Sequence, residues 1–384
     1  MNRKEIILQN VKTEGKGLEI GPSFSPICPK KEGFDIEIID HCSKEELIKK
    51  YESNVNVNEK INNIEEVDYV WKGERYPELT GKKDYYDYIV ASHLIEHCVD
   101  MIDFLNDCTE MLKTDGIISL IIPDKRYEFD FFREVTSVRA VIDQNRSGKK
   151  RAHSLGALLD YNINTCLFEN SKTYIPPYAI LSKDNFIYQK DLDNLKSLIN
   201  DYDENNYKDC HSWIFTPVSF RILIYELNML GYINLEIASY YTDPSKIEFY
   251  VQLKKSNQDQ KAFDSKHLRD LHISRRYEEN EIFETEKKLL KFAELNKYIY
   301  IYGAGKRAKM VAKILDDLSI CYRGFVVSED QQKADSLNGY PIKYLSEVSL
   351  EKEEVGIVLG VSEQFLDEVK EKLEDFKFKN YITL

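Results

Sequence analysis

Gly17-Leu-Glu-Ile-Gly-Pro-Ser-Phe-Ser-Pro26 (GLEIGPSFSP) joins a short apolar run to a turn that carries an acid, Glu19, two positions before a glycine, Gly21. Ser23 and Ser25 stand where a pyrophosphate cradle would place further glycines. A pyrophosphate needs backbone amides at close approach, so this turn is poorly suited to NAD. A second acid, Asp40, closes the next β-rich run, Asp35-Ile-Glu-Ile-Ile-Asp40. A carboxylate there can accept two hydrogen bonds from a ribose diol, and a turn with fewer glycines can pass beside an uncharged or sulfonium ligand.

Outward from this turn the pattern alternates. A helix is expected from Ser43 to about Tyr51, opened by Ser-x-x-Glu capping chemistry, and a short strand ending at Asp68. A strand over Tyr86–Ala91, a helix from about Asp100 to Lys113 closed by Thr-Asp-Gly116, and a very apolar strand, Ile117–Pro123, follow. Strands apolar on both faces that alternate with helices predict a buried, largely parallel sheet. Residues 130–210 mix polar and aromatic types around Pro176-Pro177 without a clean period. They are expected to form a partly helical cap on the substrate side, because long insertions in compact domains are usually functional. A helix from Thr216-Pro217 to Gly231 and strands over 233–239 and 248–253 complete the first domain, 1–255.

Residues 256–296 are strongly charged, with helical apolar spacing at Ile282, Phe283, Leu289, Leu290 and Phe292. This predicts a connecting helix and a candidate homo-oligomer contact. A second α/β unit, 297–384, begins with strand YIYIY, turn Gly303-Ala-Gly305 and a helix to Leu318. Strands over 323–327 and 355–359, a turn at Gly339-Tyr-Pro341 and a final helix before Tyr381 complete it.

The chain has 384 residues, 42% of them hydrophobic, and a formal charge of −13, which disfavours a nucleic-acid partner. No stretch approaches the length of a membrane span, and a cytoplasmic protein is expected. The seven cysteines form no C-x-x-C pair, so packed thiols are expected rather than a disulfide framework or a zinc ribbon. His153, Asp160 and His211 offer no metal-ligand spacing, and no metal is expected.

GLEIGP, IEIIDH, IEEVDYVW and DYIVASHLIEHCVDMIDFLNDCTEMLKTDGIISLIIPDKR together resemble the class I S-adenosylmethionine-dependent methyltransferases of the type 11 pattern, with its Glu-His pair. PDKRYEFDFFREVTS and HSWIFTPVSFRIL are similar to a subgroup associated with surface-glycan biosynthesis. The resemblance implies a Rossmann-like sheet and S-adenosylmethionine as cofactor. It places Glu19, Gly21 and Pro22 at the methionine end, Asp40 and His41 at the ribose, Asp68 at the adenine, and Ser92 and His97 around the reactive end.

Methyl transfer is an in-line displacement that needs alignment and, for an oxygen acceptor, removal of a proton. His93 is the candidate base at the strand end, with Asp124 beside it; a purely structural His93 is the alternative, and for His97 packing or capping is the preferred reading. Lys125 and Arg126 are candidates for an anionic group on the acceptor, or else a surface ion-pair cluster. His211 and Trp213 suit a sugar hydroxyl and a sugar face, or Trp213 packs under the helix. The expected acceptor is a small molecule or glycan.

The Gly303, Gly305, Ala308 turn is closer to G-x-G-x-x-A and follows an apolar strand. Its next strand ends in Ser328-Glu329 rather than a single ribose acid, and no G-K-[ST] follows. This unit resembles small Rossmann-like domains attached to sugar-modifying enzymes, implying a nucleotide, a nucleotide sugar or an assembly role. Two rival readings of the whole chain are an NAD- or nucleotide-sugar-dependent oxidoreductase or epimerase and a non-catalytic binding protein.

Overall fold

A computed structural model describes residues 3–52, 57–169, 173–175, 186–188, 192–242, 247–256, 264–281, 284–349 and 352–383. Pro176-Pro177, Ile282 and Phe283 lie outside them. The chain divides into two units, Met1–Pro177 with Ile187–Glu278, and Tyr178–Phe186 with Glu279–Leu384.

In the first unit the strands are β1 (Gly17–Ile20), β2 (Ile36–Asp40), β3 (Tyr69–Val70), β4 (Tyr86–Ser92), β5 (Leu112–Pro123), β6 (Cys166–Phe168), β7 (Phe186–Tyr188), β8 (Leu235–Thr242) and β9 (Glu248–Lys255). The helices are α1 (Arg3–Ile7), α2 (Lys44–Tyr51), α3 (Tyr76–Thr80), α4 (Met101–Met111), α5 (Val138–Ser147), α6 (Leu155–Asn164), α7 (Leu192–Asn200), α8 (Pro217–Met229) and α9 (Ser265–Glu281). Seven strands form one sheet in the order β3-β2-β1-β4-β5-β9-β8. The β3, β2, β1, β4 and β5 pairings are parallel, and β9 runs antiparallel between β5 and β8.

The apolar strands divide their side chains between two cores with the period of two that a pleated strand imposes. Ile89 and Ala91 of β4, Leu120 and Ile122 of β5, and Phe249 and Val251 of β9 pack with Phe104 and Leu105 of α4 and Phe220 and Leu223 of α8. Tyr88, Val90, Ile121 and Tyr250 point the other way, against Ile6 and Ile7 of α1 and against Ile27 and Cys28. Each face is covered, which is why these strands read as continuous apolar runs.

The helix starts follow the capping chemistry in the sequence. Ser43 and Glu46 form a capping box on α2, Asp100 caps α4, and Thr216 with Ser219 forms the box on α8 just before Pro217 at the first helical position. β5 begins at Leu112 rather than Ile117, because Leu112 pairs with Tyr86 and residues 113–116 form an irregularity before Ile117 joins Tyr88. The stretch 130–210 contributes α5, α6 and α7.

The segment expected to link the domains is itself divided. α9 belongs to the first unit through Glu278, whose carboxylate accepts from the Val218 amide (3.1 and 3.2 Å) at the start of α8.

The second unit holds α10 (Glu284–Leu295), β10 (Tyr298–Tyr302), α11 (Lys306–Asp317), β11 (Phe325–Val327), β12 (Ser336–Leu337), β13 (Tyr340–Tyr344), α12 (Leu345–Val348), β14 (Val355–Leu359), α13 (Leu366–Asp375) and β15 (Tyr381–Thr383). Its sheet runs β12-β13-β11-β10-β14-β15 and is parallel except for the β12–β13 hairpin. Ile299 and Ile301 of YIYIY face α10 and α11, while Tyr300 and Tyr302 pack with α12 and α13. Both units are Rossmann-like α/β sheets. The β12–β13 hairpin occupies the place where the sequence suggested only the turn at Gly339, whose φ is +82°.

Among the described residues, no helix is long and apolar enough to cross a membrane. Cys28, Cys108, Cys166 and Cys210 are buried.

Candidate active site

β1 has β2 on one side and β4 on the other, so the loops leaving β1 and β4 meet where the strand order reverses, the place where open α/β sheets bind ligands. Gly21 opens the first loop at φ +69°, and a Cβ there would lie 3.0 Å from Leu94 of the second loop. Glycine is favoured here twice over, for the left-handed backbone conformation and for the approach of the two loops.

The acids of the first loop serve the loop itself. Glu19 is 1% exposed, and its two carboxylate oxygens accept the Ile27 and Cys28 amides at 2.7 and 3.0 Å. Burial pushes its carboxyl up to about 7, with the two amide bonds opposing. Glu19 therefore latches the far end of the loop and does not face the methionine end of a cofactor, a correction to the expectation. Pro22 sits half-buried, its carbonyl accepting the Ser25 amide (2.9 Å).

Asp40 is also buried and accepts the Ser23 amide (2.9 Å), the His41 amide (2.7 Å) and His41 Nδ1 (2.6 Å). His41 Nε2 lies 2.9 Å from Lys50 Nζ. Asp68 departs from its expected place: it accepts the Ile38 amide (2.7 Å) and Lys30 Nζ (2.6 Å), two residues upstream of the strand end at Asp40. At the end itself, the Trp71 amide bonds to the Asp40 carbonyl (2.8 Å). β3 is only two residues long, so a small shift of register moves the acid away from the edge.

At the end of β4, Ser92 Oγ accepts from Arg3 Nη2 (2.8 Å). His93 follows in the left-handed region at φ +50°, unusual for a residue with a side chain. Its Nε2 is 2.8 Å from Glu248 Oε2, and Glu248 is held in turn by Arg3 Nε (2.8 Å), Arg3 Nη2 (3.0 Å) and Tyr250 OH (2.6 Å). Burial alone would raise the Glu248 carboxyl, but the bonds from His93 and Arg3 outweigh it and hold the group well below the usual carboxylate range. With Nε2–H donating to Glu248, Nδ1 of His93 is the atom that can take a proton.

The 3-10 turn after β4 carries Glu96 and His97. Glu96 is fully buried, its backbone carbonyl accepts the Ser212 amide (2.8 Å), and neither carboxylate oxygen has a hydrogen-bond partner among the described residues. Its Oε1 lies 3.6 Å from His93 Nδ1 and 4.0 Å from His97 Nε2. His97 Nδ1 bonds to Asp209 (2.9 Å), and its ring meets that of His211 edge-on at 4.6 Å. His211 Nδ1 bonds to Asp130 (2.6 Å), which also accepts from Arg133 Nη1 (2.8 Å).

Three expected site residues are committed elsewhere. Asp124 accepts from Arg126 through both oxygens (3.0 and 2.7 Å), as well as from the Arg126 amide, so it is not a free base. Arg126 is buried in that pair and donates to the Glu278 carbonyl (3.2 Å), so it is neither a surface cation nor open to an acceptor anion. Lys125 Nζ donates to the Phe131 carbonyl (2.8 Å).

Trp213 belongs to the core and donates its Nε1–H to the Cys98 carbonyl (2.6 Å). It also borders a cavity of about 600 Å³ lined by Arg139, Gln144, His153, Asp160 and Ser212. His153 Nδ1 is 2.5 Å from Ser212 Oγ, its Nε2 is buried without a partner among the described residues, and burial pushes its pKa down to about 4.

Arg3, Glu96 and Glu248 were not singled out in the sequence. Glu96 had a signal, the Glu-His pair; Arg3 and Glu248 had none, since they reach the site from 89 and 155 residues away in sequence.

In the second unit, Gly303 takes φ +104°, and a Cβ there would lie 3.0 Å from the Gly360 carbonyl. Gly305 is the N-cap of α11 with open space around it, and Ala308 is buried beneath Gly360. Ser328 pairs with Tyr302 OH, while Glu329 accepts the Ser346 amide (2.7 Å).

Residues 4–168 match a family model described as a methyltransferase domain. Three solved structures illustrate the similarity. The CcbJ methyltransferase from Streptomyces caelestis is 11% identical, with 67% of this chain and 97% of that one covered, at a TM-score of 0.31. A putative S-adenosylmethionine-dependent methyltransferase from Listeria monocytogenes is 10% identical, with 66% and 95% covered, at 0.33. The acetyltransferase domain of PglB from Neisseria gonorrhoeae, in complex with acetyl coenzyme A, is 26% identical over 22% of this chain and 42% of that one, at 0.19. At these scores the likenesses bear on neither substrate nor reaction. Comparison with curated proteins gives no match.

Proposed function

We propose that this chain is an S-adenosylmethionine-dependent methyltransferase acting on an oxygen of a saccharide or nucleotide-linked sugar, in surface-glycan synthesis. The observation that carries the reading is His93 at the end of β4, anchored through Nε2 on Glu248, within the matched methyltransferase domain.

The loop after β1 suits an uncharged or sulfonium ligand better than a pyrophosphate. Ser23 Oγ is buried without a partner among the described residues, a polar atom that a ligand group would satisfy. Gly21, Pro22 and Ser23 would hold the cofactor's methionine side, and Asp40 one ribose hydroxyl through the lone pair of Oδ2 left beside the Ser23 amide, Oδ1 being taken by the two His41 bonds. When bound, the cofactor supplies an electrophilic methyl on a sulfonium.

The protein's part is to bind the acceptor, align its oxygen and take its proton at His93 Nδ1. The cavity of about 600 Å³ has the size of a small-ligand site, and its lining suits a polyol. His153 is neutral there, with an unpartnered Nε2 as hydrogen-bonding atom, and Trp213 adds an aromatic border. In the second unit, the Gly303–Ala308 turn is proposed to take a nucleotide or nucleotide-linked sugar, supported by the open backbone at Gly305.

Calorimetry with S-adenosylmethionine, S-adenosylhomocysteine and NAD on the wild type and Asp40→Ala tests the reading. The sulfonium and its product should bind the wild type, and Asp40→Ala should bind each about 10-fold more weakly, equivalent to one lost hydrogen bond to a charged group. Tight NAD binding with no sulfonium binding would overturn it. Mass spectrometry of nucleotide sugars incubated with enzyme and cofactor then looks for one added methyl.

A further inference from the structure

Glu96 presents a fully buried carboxylate whose two oxygens have no hydrogen-bond partner among the described residues. A buried carboxylate is normally satisfied by donors or by a cation. The ligand atoms of Glu96, His97 and His211 all come within 4.8 Å of one another, close enough to share one ion. Each imidazole is oriented as metal-bound histidines usually are. His97 donates Nδ1–H to Asp209 (2.9 Å) and His211 donates Nδ1–H to Asp130 (2.6 Å), so Nε2 of each ring keeps its lone pair.

We propose that Glu96, His97 and His211 bind a divalent first-row transition-metal ion of the kind that takes imidazole and carboxylate ligands. Two imidazoles and one carboxylate suit zinc or iron(II) and leave at least one position for water or a substrate oxygen. A second group, Glu128, Asp130 and His211, also has its atoms within 4.8 Å. There, Asp130 is already bound to His211 and to Arg133, so it supports the ring rather than competing for the ion.

The Glu96 backbone is tied to the wall of the cavity proposed for the acceptor. Ser212 and Trp213, which line it, donate their amides to the Glu96 carbonyl (2.8 and 3.3 Å). An ion there would polarise a hydroxyl brought to its open position. Metal binding itself does not depend on the methyl-transfer reading, since it is measured without substrate or cofactor.

The test uses the full chain purified without a polyhistidine tag, stripped with a chelator and titrated with zinc. The wild type should take up about one tightly held zinc per chain, as a site with three protein ligands does. Glu96→Gln and His97→Asn should abolish that uptake, and Asp209→Asn should weaken it by roughly 10–100-fold, the usual effect of removing a carboxylate behind a ligand. Zinc should raise the melting temperature of the wild type and not of Glu96→Gln.

Cobalt substitution separates this site from the cysteines, because the expected spectrum has visible bands without sulfur-to-cobalt charge transfer. Should Glu96→Gln fail to fold, His97→Asn, at a half-buried position, carries the comparison. Equal zinc uptake by wild type and the folded variants, no tightly held zinc in the wild type, or a thiolate-type cobalt spectrum would overturn the proposal.

Discussion

His93 Nε2 and Glu248 Oε2 lie 2.8 Å apart, joining the end of β4 to the start of β9. Glu248 fixes both the orientation of the ring and which nitrogen carries the proton. His93→Ala should therefore lower kcat by roughly 10²–10⁴-fold while cofactor affinity stays nearly unchanged. Glu248→Gln should lower kcat and displace the acidic limb of its pH profile, a change that a packing role alone would not produce. Unchanged turnover in His93→Ala removes it as the base.

Glu19 makes stability depend on pH in an unusual direction. Its folded carboxyl titrates near about 7, above the ordinary glutamate value, so the folded state binds the proton more tightly than the unfolded chain. The stabilisation is complete below roughly pH 4.3 and is lost as pH rises through about 7. Melting temperature measured from pH 4.5 to 7.5 should fall with this contribution, and Glu19→Gln should flatten that slope. The variant should also lose about 1–3 kcal/mol at low pH, because the glutamine NH2 cannot accept a backbone amide, whereas both oxygens of the protonated Glu19 carboxyl keep lone pairs toward the Ile27 and Cys28 amides.

Arg126 and Asp124 form a buried pair, and Arg126 also lies 3.9 Å from the Glu278 carboxylate. Arg126→Ala should cost about 3–5 kcal/mol in urea unfolding, since it leaves buried carboxylates without their cation. Arg126→Leu combined with Asp124→Leu should cost less than Arg126→Ala, because it removes both charges. A variant with a raised acceptor KM and unaltered stability would return Arg126 to substrate binding.

Gly303 and Gly305 lie in one turn but should respond differently to alanine. At Gly303 the positive φ and the Gly360 carbonyl 3.0 Å from a Cβ should destabilise the second unit by about 1–2 kcal/mol. Gly305→Ala meets nothing within 4 Å at an ordinary φ and should fold like the wild type. If the turn holds a nucleotide, Gly305→Ala should still weaken its binding, measured by calorimetry.

The alternating apolar runs, the Ser43, Asp100 and Thr216 caps and the turns at Gly21 and Gly303 all act within a few residues of themselves. The sequence by itself therefore determined two Rossmann-like sheets and the switch-point loops where ligands bind. GLEIGPSFSP was legible as a ligand-side turn, but the direction in which Glu19 spends its two oxygens was not. That depended on the amides of Ile27 and Cys28 folding back over it. Tertiary packing likewise joined Arg126 to Asp124, brought Glu248 and Arg3 to His93, and buried Glu96 beside His97 and His211. A charged side chain's role is set by which partners remain once water is removed, and those partners are chosen by chain segments far apart in sequence.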